Sequence, residues 1–176
     1  MIETDRLILS RWRDDHRAAI AAINADAEVM RYFVAPMTRA ETDAQVDRQI
    51  AGQAAHGFCF WAIERRADGV LIGMAGLKTG APGTPIADDL EVGWRFGKAY
   101  WGHGYASEAA RASLAHGFAN PAVARIAAIT TVDNAASRAV MDRIGMSYAP
   151  GLDFDHPAVP ADSPVLRHVT YFIARP

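Results

Sequence analysis

Residues 89–118 read DLEVGWRFGKAYWGHGYASEAARASLAHGF, a pattern that predicts a strand, a tight glycine turn and then a helix. Gly102 and Gly104 remove side chains from the turn, so the backbone there is able to bend sharply and approach a bulky group. Ala106 keeps the next position small. A helix that begins directly after such a turn aims free N–H groups and its partial positive charge at one spot. The stretch therefore predicts a binding site for an anion.

Three classes of ligand are bound at glycine turns of this kind. A dinucleotide turn has the form G-x-G-x-x-G, but the third position here is Ser107, and no N-terminal βαβ unit precedes it. A nucleotide P-loop needs G-K-S/T, whereas Gly97-Lys98 is followed by Ala99. The remaining class binds the pyrophosphate of a coenzyme. From the turn alone, a purely structural connection between strand and helix is an equally good explanation.

A second strand and helix follow the first pair. Residues 125–132, RIAAITTV, form a predicted strand, and a helix is expected from Asn134 to Gly145. Two neighbouring strands that each lead into a helix leave a crevice at their carboxyl ends, where ligands usually bind. Asn134 offers a donor and an acceptor at this edge, which suits the amide groups of a pantetheine arm. It is also a natural N-cap for its own helix, and it is able to serve both roles.

The composition limits the function classes that remain. The 176 residues are 51% hydrophobic and 22% charged, which is typical of one globular domain, here residues 1–176. The net charge of −2 gives no reason to expect a nucleic-acid partner. Cys59 is the only cysteine, which excludes an intrachain disulfide and a cysteine-based zinc site, and we expect no metal. No stretch resembles a membrane span or a secretory signal, so we expect a cytoplasmic protein without a membrane partner.

The rest of the chain predicts antiparallel strands first and strands alternating with helices afterwards. Gly73 and Gly76 indicate a bulge or a close backbone neighbour in the third strand. Strands are expected at 6–12, 58–64, 70–77 and 168–174, with a short one at 146–149. One helix is expected after Asp14 or Asp15, and a short one from Asp26. A third helix is expected from Thr38 towards Gly57, because Thr38 and Glu41 have the spacing of a capping box. This order predicts an α+β fold with a mixed sheet.

Four stretches of the sequence resemble the GNAT acyltransferase superfamily: TDRLILSRW, EVGWRF-x4-WGHGYASEA, TVDNAASRAVMDRIGM and RHVTYFIAR. More narrowly, they resemble the branch of the ribosomal-protein N-terminal acetyltransferases, the RimJ/RimL-like enzymes. The resemblance implies a three-layer fold in which helices cover both faces of a mostly antiparallel sheet that splays between its fourth and fifth strands. It also implies acetyl-CoA as the donor, wedged into the splay, and an amine as the acceptor.

The resemblance further implies which residues hold the coenzyme. The family's R/Q-x-x-G-x-G/A turn falls on residues 101–106, where Trp101 replaces the usual Arg or Gln. Many members carry a tyrosine seven residues after the asparagine, at the position of Met141, as an acid for the leaving thiolate; Ser137 is the nearest replacement here. The expected coenzyme-binding residues are Trp94, Arg95, Phe96, Trp101, Gly102, His103, Gly104, Tyr105, Ala106, Ser107, Asn134 and Ser137.

Glu91 is the expected catalytic base, acting through a water, because it lies two residues before Gly93 where the family often carries a carboxylate. A structural role within the sheet is the alternative for Glu91, and Asp89 is the second candidate base. Backbone N–H groups of residues 92–94 are expected to stabilise the oxyanion that forms on the thioester. The sequence leaves His156 open as either a spacer or a contact to the acceptor.

These features predict an N-acetyltransferase that moves an acetyl group directly from acetyl-CoA to a primary amine in a ternary complex. A catalytically silent acyl-CoA sensor and a nucleotide-binding enzyme are the two alternatives. The acceptor is either a protein N-terminus or a small-molecule amine, and the loops expected at 78–88 and 151–167 do not separate these by composition. We expect a monomer or a homodimer.

Overall fold

The computed structural model describes all 176 residues and contains nine strands and four α-helices. The strands are β1 (Ile2–Glu3), β2 (Leu7–Ser10), β3 (Phe60–Arg65), β4 (Leu71–Thr79), β5 (Leu90–Phe96), β6 (Arg125–Thr131), β7 (Ser147–Tyr148), β8 (Phe154–Asp155) and β9 (Arg167–Ala174). The helices are α1 (His16–Ala25), α2 (Arg39–His56), α3 (Tyr105–Phe118) and α4 (Ala135–Arg143). The predicted strands are present with ends shifted by a few residues, and the short strands β1 and β8 are additional.

All nine strands join one sheet, in the order β1-β2-β3-β4-β5-β6-β9-β7, with β8 paired to β9. Every pair is antiparallel except β5 and β6, which are parallel. These two strands are aligned only at Leu90↔Ile126 and Glu91↔Ala127, after which they separate. They are the fourth and fifth of the predicted strands, so the predicted α+β fold with its splayed, mostly antiparallel sheet is confirmed.

The helices cover both faces of the sheet, as expected. α1 packs against β4 and α2 against α1, whereas α3 packs against β4 and β5 and contacts α4. On β5, Leu90 lies beside Gly117 of α3, and Arg95 hydrogen-bonds Asn24 of α1. Side chains an odd number of positions apart on a strand point to opposite faces, so α1 and α3 lie on opposite sides. None of the helices combines the length and apolar character needed to cross a membrane.

At Gly73 and Gly76 the backbone of β4 lies very close to that of its neighbouring strands, as the sequence predicted. A Cβ on Gly73 would lie 2.2 Å from the carbonyl oxygen of Arg95, and one on Gly76 would lie 2.0 Å from that of Cys59. The register between β3 and β4 also shifts at Ile63 and Glu64, opposite Gly73. Any side chain at either glycine would push neighbouring strands apart.

The two predicted helix starts near the beginning of the chain differ in outcome. Thr38 and Glu41 form a complete capping box at the start of α2, and that prediction is confirmed. The short helix expected from Asp26 is wrong, because residues 27–32 form turns instead. The Asp26 carboxylate accepts a hydrogen bond from the N–H of Glu28 at 2.8 Å, as a cap would, but no helix continues beyond the first turn. A single turn without propagation is unfavourable as a helix nucleus.

Candidate active site

A cleft opens where β5 and β6 separate, and it has a volume of about 1440 Å³. Its walls come from β5, the glycine turn, the first turns of α3, the end of β6, and α4. Twelve of the sequence-predicted site residues line it: Glu91, Trp94, Arg95, Phe96, Trp101, Gly102, Gly104, Tyr105, Ala106, Ser107, Asn134 and Ser137. His103 alone among them does not line the cleft.

The glycine turn presents backbone rather than side chains to the cleft. Gly102 and Gly104 have φ values of +78° and +80°, in the left-handed region that favours glycine. Gly104 is the N-cap of α3, and no side chain caps this helix end. The first N–H groups of α3 therefore meet the cleft together with the positive end of the helix dipole. This arrangement suits the phosphate groups of a ligand.

The aromatic residues around the turn serve mainly as walls. The indole N–H of Trp101 donates to the carbonyl oxygen of Phe96 at 2.8 Å, so its polar group is already engaged. Phe96 belongs to the buried core, and Trp94 packs against both of the two core clusters. Trp101, at 38% exposure, thus offers the cleft an apolar surface where related turns carry a polar side chain.

Four arginines that the sequence did not single out also line the cleft: Arg6, Arg31, Arg111 and Arg143. Arg6 pairs with Glu108 at 2.6 Å and donates to the carbonyl oxygen of His103 at 2.9 Å, which ties the N-terminal segment to the turn. Arg111 donates to the carbonyl oxygen of Arg143 at 2.6 Å. Arg143 is exposed at the end of α4 and has no ion-pair partner. These contacts join distant parts of the chain, so no local sequence pattern indicates them.

Asn134 acts as the N-cap of α4, one of the two roles left open by the sequence. Its Oδ1 accepts from the N–H of Ser137 at 3.2 Å, and its Nδ2 donates to Thr130 Oγ1 at 2.9 Å. The Ser137 side chain lines the cleft, and its hydroxyl is not used in holding the cap. Met141 is 2% exposed and packs within the core formed by α3, α4, β6 and β9. Its thioether has no proton to donate.

Glu91 is buried in the cleft and faces a single charged neighbour. The Lys78 ammonium lies 3.1 Å from its Oε2, an atom that has no other polar partner in the chain. Burial raises the pKa of Glu91, and the charge of Lys78 acts against that rise. A carboxylate held in this way is suited to accept a proton near neutral pH.

Asp89, the second candidate base, does not line the cleft, so its proposed catalytic role is wrong. Its carboxylate forms a bidentate pair with Arg125, whose Nε and Nη2 lie at 2.8 and 3.0 Å. The pair ties the start of β5 to the start of β6, below the point where the two strands separate. Asp89 therefore has a structural function, and its two oxygens are already occupied.

Two histidines, His156 and His168, reach the cleft from the C-terminal part of the chain. Their ring centroids are 4.9 Å apart. Burial lowers the pKa of both, and the nearby charges of His168 and Lys78 lower that of His156 further. The sequence left the role of His156 undecided between a spacer and a contact to the acceptor. It did not indicate His168 as a site residue, because His168 lies within the apolar pattern of β9. No group of three or more His, Cys, Asp or Glu side chains is arranged to bind a metal.

The fold and the cleft are those of a coenzyme-dependent acyltransferase, and comparison with known proteins identifies the family. Residues 6–147 match the acetyltransferase (GNAT) domain, and the chain belongs to this family. The uncharacterized N-acetyltransferase YoaA of Bacillus subtilis is 32% identical over 148 residues, which cover 82% of this chain and 81% of that protein. The FsC-acetyl coenzyme A-N(2)-transacetylase of Aspergillus fumigatus is 32% identical over 155 residues, or 84% and 65% of the two chains.

Solved structures show the same fold. A GNAT-family acetyltransferase from Bacillus anthracis superposes with a TM-score of 0.80 at 25% identity, covering 98% of this chain and 97% of that one. RimL, a ribosomal L7/L12 alpha-N-protein acetyltransferase solved in complex with coenzyme A, superposes with a TM-score of 0.74 at 18% identity, covering 97% and 95%. The protein is thus an acetyl-CoA-dependent acyltransferase of the GNAT family.

Proposed function

We propose that this enzyme transfers an acetyl group from acetyl-CoA directly to a primary amine, on either a small molecule or a protein N-terminus, with both substrates bound together. The proposal rests on one observation, that a site for an anion and a buried carboxylate lie in the same cleft. The uncapped start of α3, preceded by two left-handed glycines, forms an anion site, and the buried carboxylate of Glu91 lies in the same cleft. The first suits a coenzyme and the second suits the removal of a proton from an amine.

The coenzyme side of the cleft has the groups that a pyrophosphate and a pantetheine arm need. Backbone N–H groups after Gly102 and Gly104 receive the phosphates, and the side chains of Arg111 and Arg143 add positive charge at the same wall. Trp101 supplies a flat apolar surface in place of the polar side chain common in the family. The second N–H of the Asn134 amide is available for the pantetheine arm, because the first donates to Thr130.

The chemistry follows from how these groups are placed. The amine nitrogen forms a bond to the thioester carbonyl carbon, the carbon–sulfur bond breaks, and the coenzyme leaves as a thiolate. Glu91 accepts the amine proton through a water, and Ser137 donates a hydrogen bond to the leaving sulfur. Beyond Glu91, β5 no longer has β6 beside it, so backbone N–H groups of residues 92–94 are the candidates to stabilise the oxyanion.

Release of free coenzyme A thiol tests the proposal. Purified protein is incubated with acetyl-CoA and a panel of primary amines that includes peptides with free N-termini. We expect thiol release that depends on at least one amine and that falls by about 10²- to 10⁴-fold in Glu91→Gln. Binding of acetyl-CoA in a thermal-shift assay without turnover of any amine would instead support a sensor. Stronger stabilisation by ATP or NAD than by acetyl-CoA would support the nucleotide-binding alternative.

A further inference from the structure

Arg95 occupies the face of β5 that points away from α3. It shares this face with Glu91 and Gly93, because alternate residues of a strand point to the same side. Its Nη1 donates to Asn24 Oδ1 at 2.6 Å, and its guanidinium lies 4.3 Å from the ring centre of Phe33. These two contacts hold the side chain in one orientation at the wall of the cleft.

The other edge of this guanidinium has no partner in the protein. Nε is sealed from solvent and has no hydrogen-bond partner. Nη2 makes no hydrogen bond within the chain either, but it is not sealed from solvent, and no carboxylate lies within 4.0 Å of Arg95. Burial alone, with no opposing anion, lowers the pKa of Arg95 to about 10. A buried charge without a counter-charge is costly, so the site is built to gain from a bound anion.

We infer that Arg95 binds a carboxylate of the acceptor, so that the amine acetylated by this enzyme belongs to a small molecule that carries a carboxylate, such as an amino acid. The inference rests on the proposed function, and it narrows the acceptor to one chemical class. Nη1 is held by Asn24 and Met37, and Nε is covered by protein atoms, so Nη2 is the nitrogen left to donate to a ligand. A carboxylate is the anion of an amine-bearing small molecule that a guanidinium binds with a charge-assisted hydrogen bond.

The position of Arg95 separates this anion site from the coenzyme phosphates. The glycine turn leads into α3 on one side of the sheet, whereas Arg95 points to the side of α1. Glu91 lies four residues earlier on the same face, about 13 Å away along the strand at about 3.3 Å per residue. Both side chains are long enough to reach towards a small ligand between them. A Cβ on Gly93 would lie 2.8 Å from the ring of Phe60, so this glycine lets the ring reach across from β3 and lie between the two side chains, where a ligand would rest on it.

A protein N-terminus does not offer Arg95 a carboxylate near the reacting amine, because its α-amine is followed by an amide. A purely structural role also leaves part of the arrangement unexplained. Linking β5 to α1 uses only the Nη1 bond to Asn24, and it gives no reason for a charged group whose Nε is buried without a partner. The positive charge of Arg95 at the cleft wall, with no counter-charge in the chain, is the feature that calls for a ligand.

Matched pairs of acceptors test the inference. Each amino acid in the panel is compared with its own carboxamide and with a peptide amide, and kcat/KM is measured by thiol release. We expect wild type to prefer the free carboxylate by about 10- to 100-fold over the amide. Arg95→Met should remove this preference, and Arg95→Lys should keep only part of it, because a lysine ammonium is a point charge without the planar group that reaches Asn24 and the ligand at once. Arg31→Met, which removes another cation from the cleft wall, should leave the ratio of carboxylate to amide unchanged.

Binding of the acetylated products gives a second measurement that needs no turnover. N-acetyl amino acids and their carboxamides are titrated into wild type and Arg95→Met by calorimetry. Tighter binding of the carboxylate in wild type alone supports the inference. Equal binding of the two forms, or turnover of peptide amides as fast as of amino acids, overturns it while leaving the acetyltransferase intact. Absence of turnover with a preserved carboxylate preference in binding would overturn only the proposed function.

Discussion

Lys78 and Glu91 are partners across neighbouring strands, and their charged groups lie 3.1 Å apart inside the mouth of the cleft. The Lys78 side chain is 43% exposed, whereas that of Glu91 is 8% exposed. The ammonium is therefore solvated while the carboxylate is not. Burial raises the pKa of Glu91 and Lys78 opposes the rise, so one exposed residue adjusts the proton affinity of one buried residue.

Replacement of Lys78 by methionine should move the acid limb of the pH–rate profile to higher pH. A base works only when it is ionised, so kcat/KM falls as the pH drops through the pKa of Glu91. Without the nearby cation, that pKa rises further, and we expect the limb to move up by about one pH unit. His156 and His168 do not produce this limb, because their lowered pKa values keep them neutral over more of the range.

Arg39→Met is the matched control for this measurement. It also removes the cation of an ion pair, with Asp43, but this pair lies within α2 and neither residue lines the cleft. Its acid limb should coincide with that of wild type. An unchanged limb in Lys78→Met would show that Glu91 does not control the reaction.

Glu91→Gln should lose activity without losing stability at neutral pH. The folded-state pKa of Glu91 is raised, so its ionised form is disfavoured by folding, and this penalty grows as pH rises through that pKa. Glutamine carries no charge at any pH and escapes the penalty, while the exposed Lys78 stays solvated. We expect a Tm at pH 7 equal to or a few degrees above wild type, about 2–4 °C for each kcal/mol.

The difference in Tm between Glu91→Gln and wild type should disappear at acidic pH. Below the ordinary pKa of a glutamate, about 4.3, the carboxyl group is neutral in both the folded and the unfolded state. Thermal melts of Glu91→Gln and wild type at pH 4 and pH 7 measure the two cases. A Tm at pH 7 clearly below that of wild type would mean that the carboxylate stabilises the sheet, which is the structural alternative for Glu91.

Local backbone chemistry explains why much of the site was predictable from the sequence. Gly102 and Gly104 lie where the backbone has positive φ, a conformation that favours glycine, so the residue type itself indicates the turn. The capping box of Thr38 and Glu41 spans only four residues, so it is visible in the local sequence. The two strand-to-helix connections then place the cleft, because parallel strands end at the same edge. The fold followed from these patterns together with the family resemblance.

Contacts between distant residues explain what the sequence did not reveal. Asp89 and Glu91 are both acidic residues at the start of one strand, and only the position of Arg125 shows that Asp89 is occupied. The charge of Arg95 is unpaired because no carboxylate lies near it in the folded chain, and no sequence pattern indicates that a partner is missing. Lys78 lies opposite Glu91 only because β4 and β5 pair in one particular register, which their sequences do not specify.

Gly102→Ala should weaken acetyl-CoA binding more than it weakens the fold. An alanine at φ +78° is strained by about 1 kcal/mol, but its Cβ would meet no atom of the protein within 4 Å. We expect a Tm about 2–4 °C lower and a KM for acetyl-CoA raised by about 10-fold, because the extra methyl group enters space used by the phosphates.

Gly57→Ala is a close control for backbone strain. Gly57 has φ +79°, its Cβ would also meet nothing within 4 Å, and it lies at the end of α2 outside the cleft. Its Tm should fall by a similar amount while the KM for acetyl-CoA stays at the wild-type value. Equal KM values in the two variants would argue against phosphates at the glycine turn.

Arg143→Gln should raise the KM for acetyl-CoA by about 3- to 10-fold with little change in kcat. The side chain is exposed and carries no ion pair, so its removal leaves the fold unchanged and takes away one charge-assisted contact to a phosphate. The effect should shrink as salt is added. Arg48→Gln removes an equally exposed arginine of α2, outside the cleft, and should leave the KM unchanged at every salt concentration.

Asn134→Ala should lower the stability of the protein through the cap of α4, whereas Ser137→Ala should lower kcat without changing the stability. Asn134 holds the helix start through Ser137 N–H and Thr130, so its loss should destabilise the protein by about 1 kcal/mol, or a Tm about 2–4 °C lower. Ser137→Ala keeps the backbone N–H that makes this cap, so its Tm should match wild type. Its kcat should fall by about 3- to 10-fold, the effect of one lost hydrogen bond to the leaving thiolate.

Thermal melts and steady-state kinetics on the two variants make this comparison. A leaving thiol has a pKa of about 8.5 and needs little assistance, which is why a modest fall in kcat is expected and not a complete loss. If Ser137→Ala instead lowers the Tm as Asn134→Ala does and leaves kcat unchanged, the hydroxyl belongs to the helix start and not to the reaction. In that case Ser137 is not the donor to the thiolate, and Met141 at the family's tyrosine position does not replace it because its thioether has no proton to give.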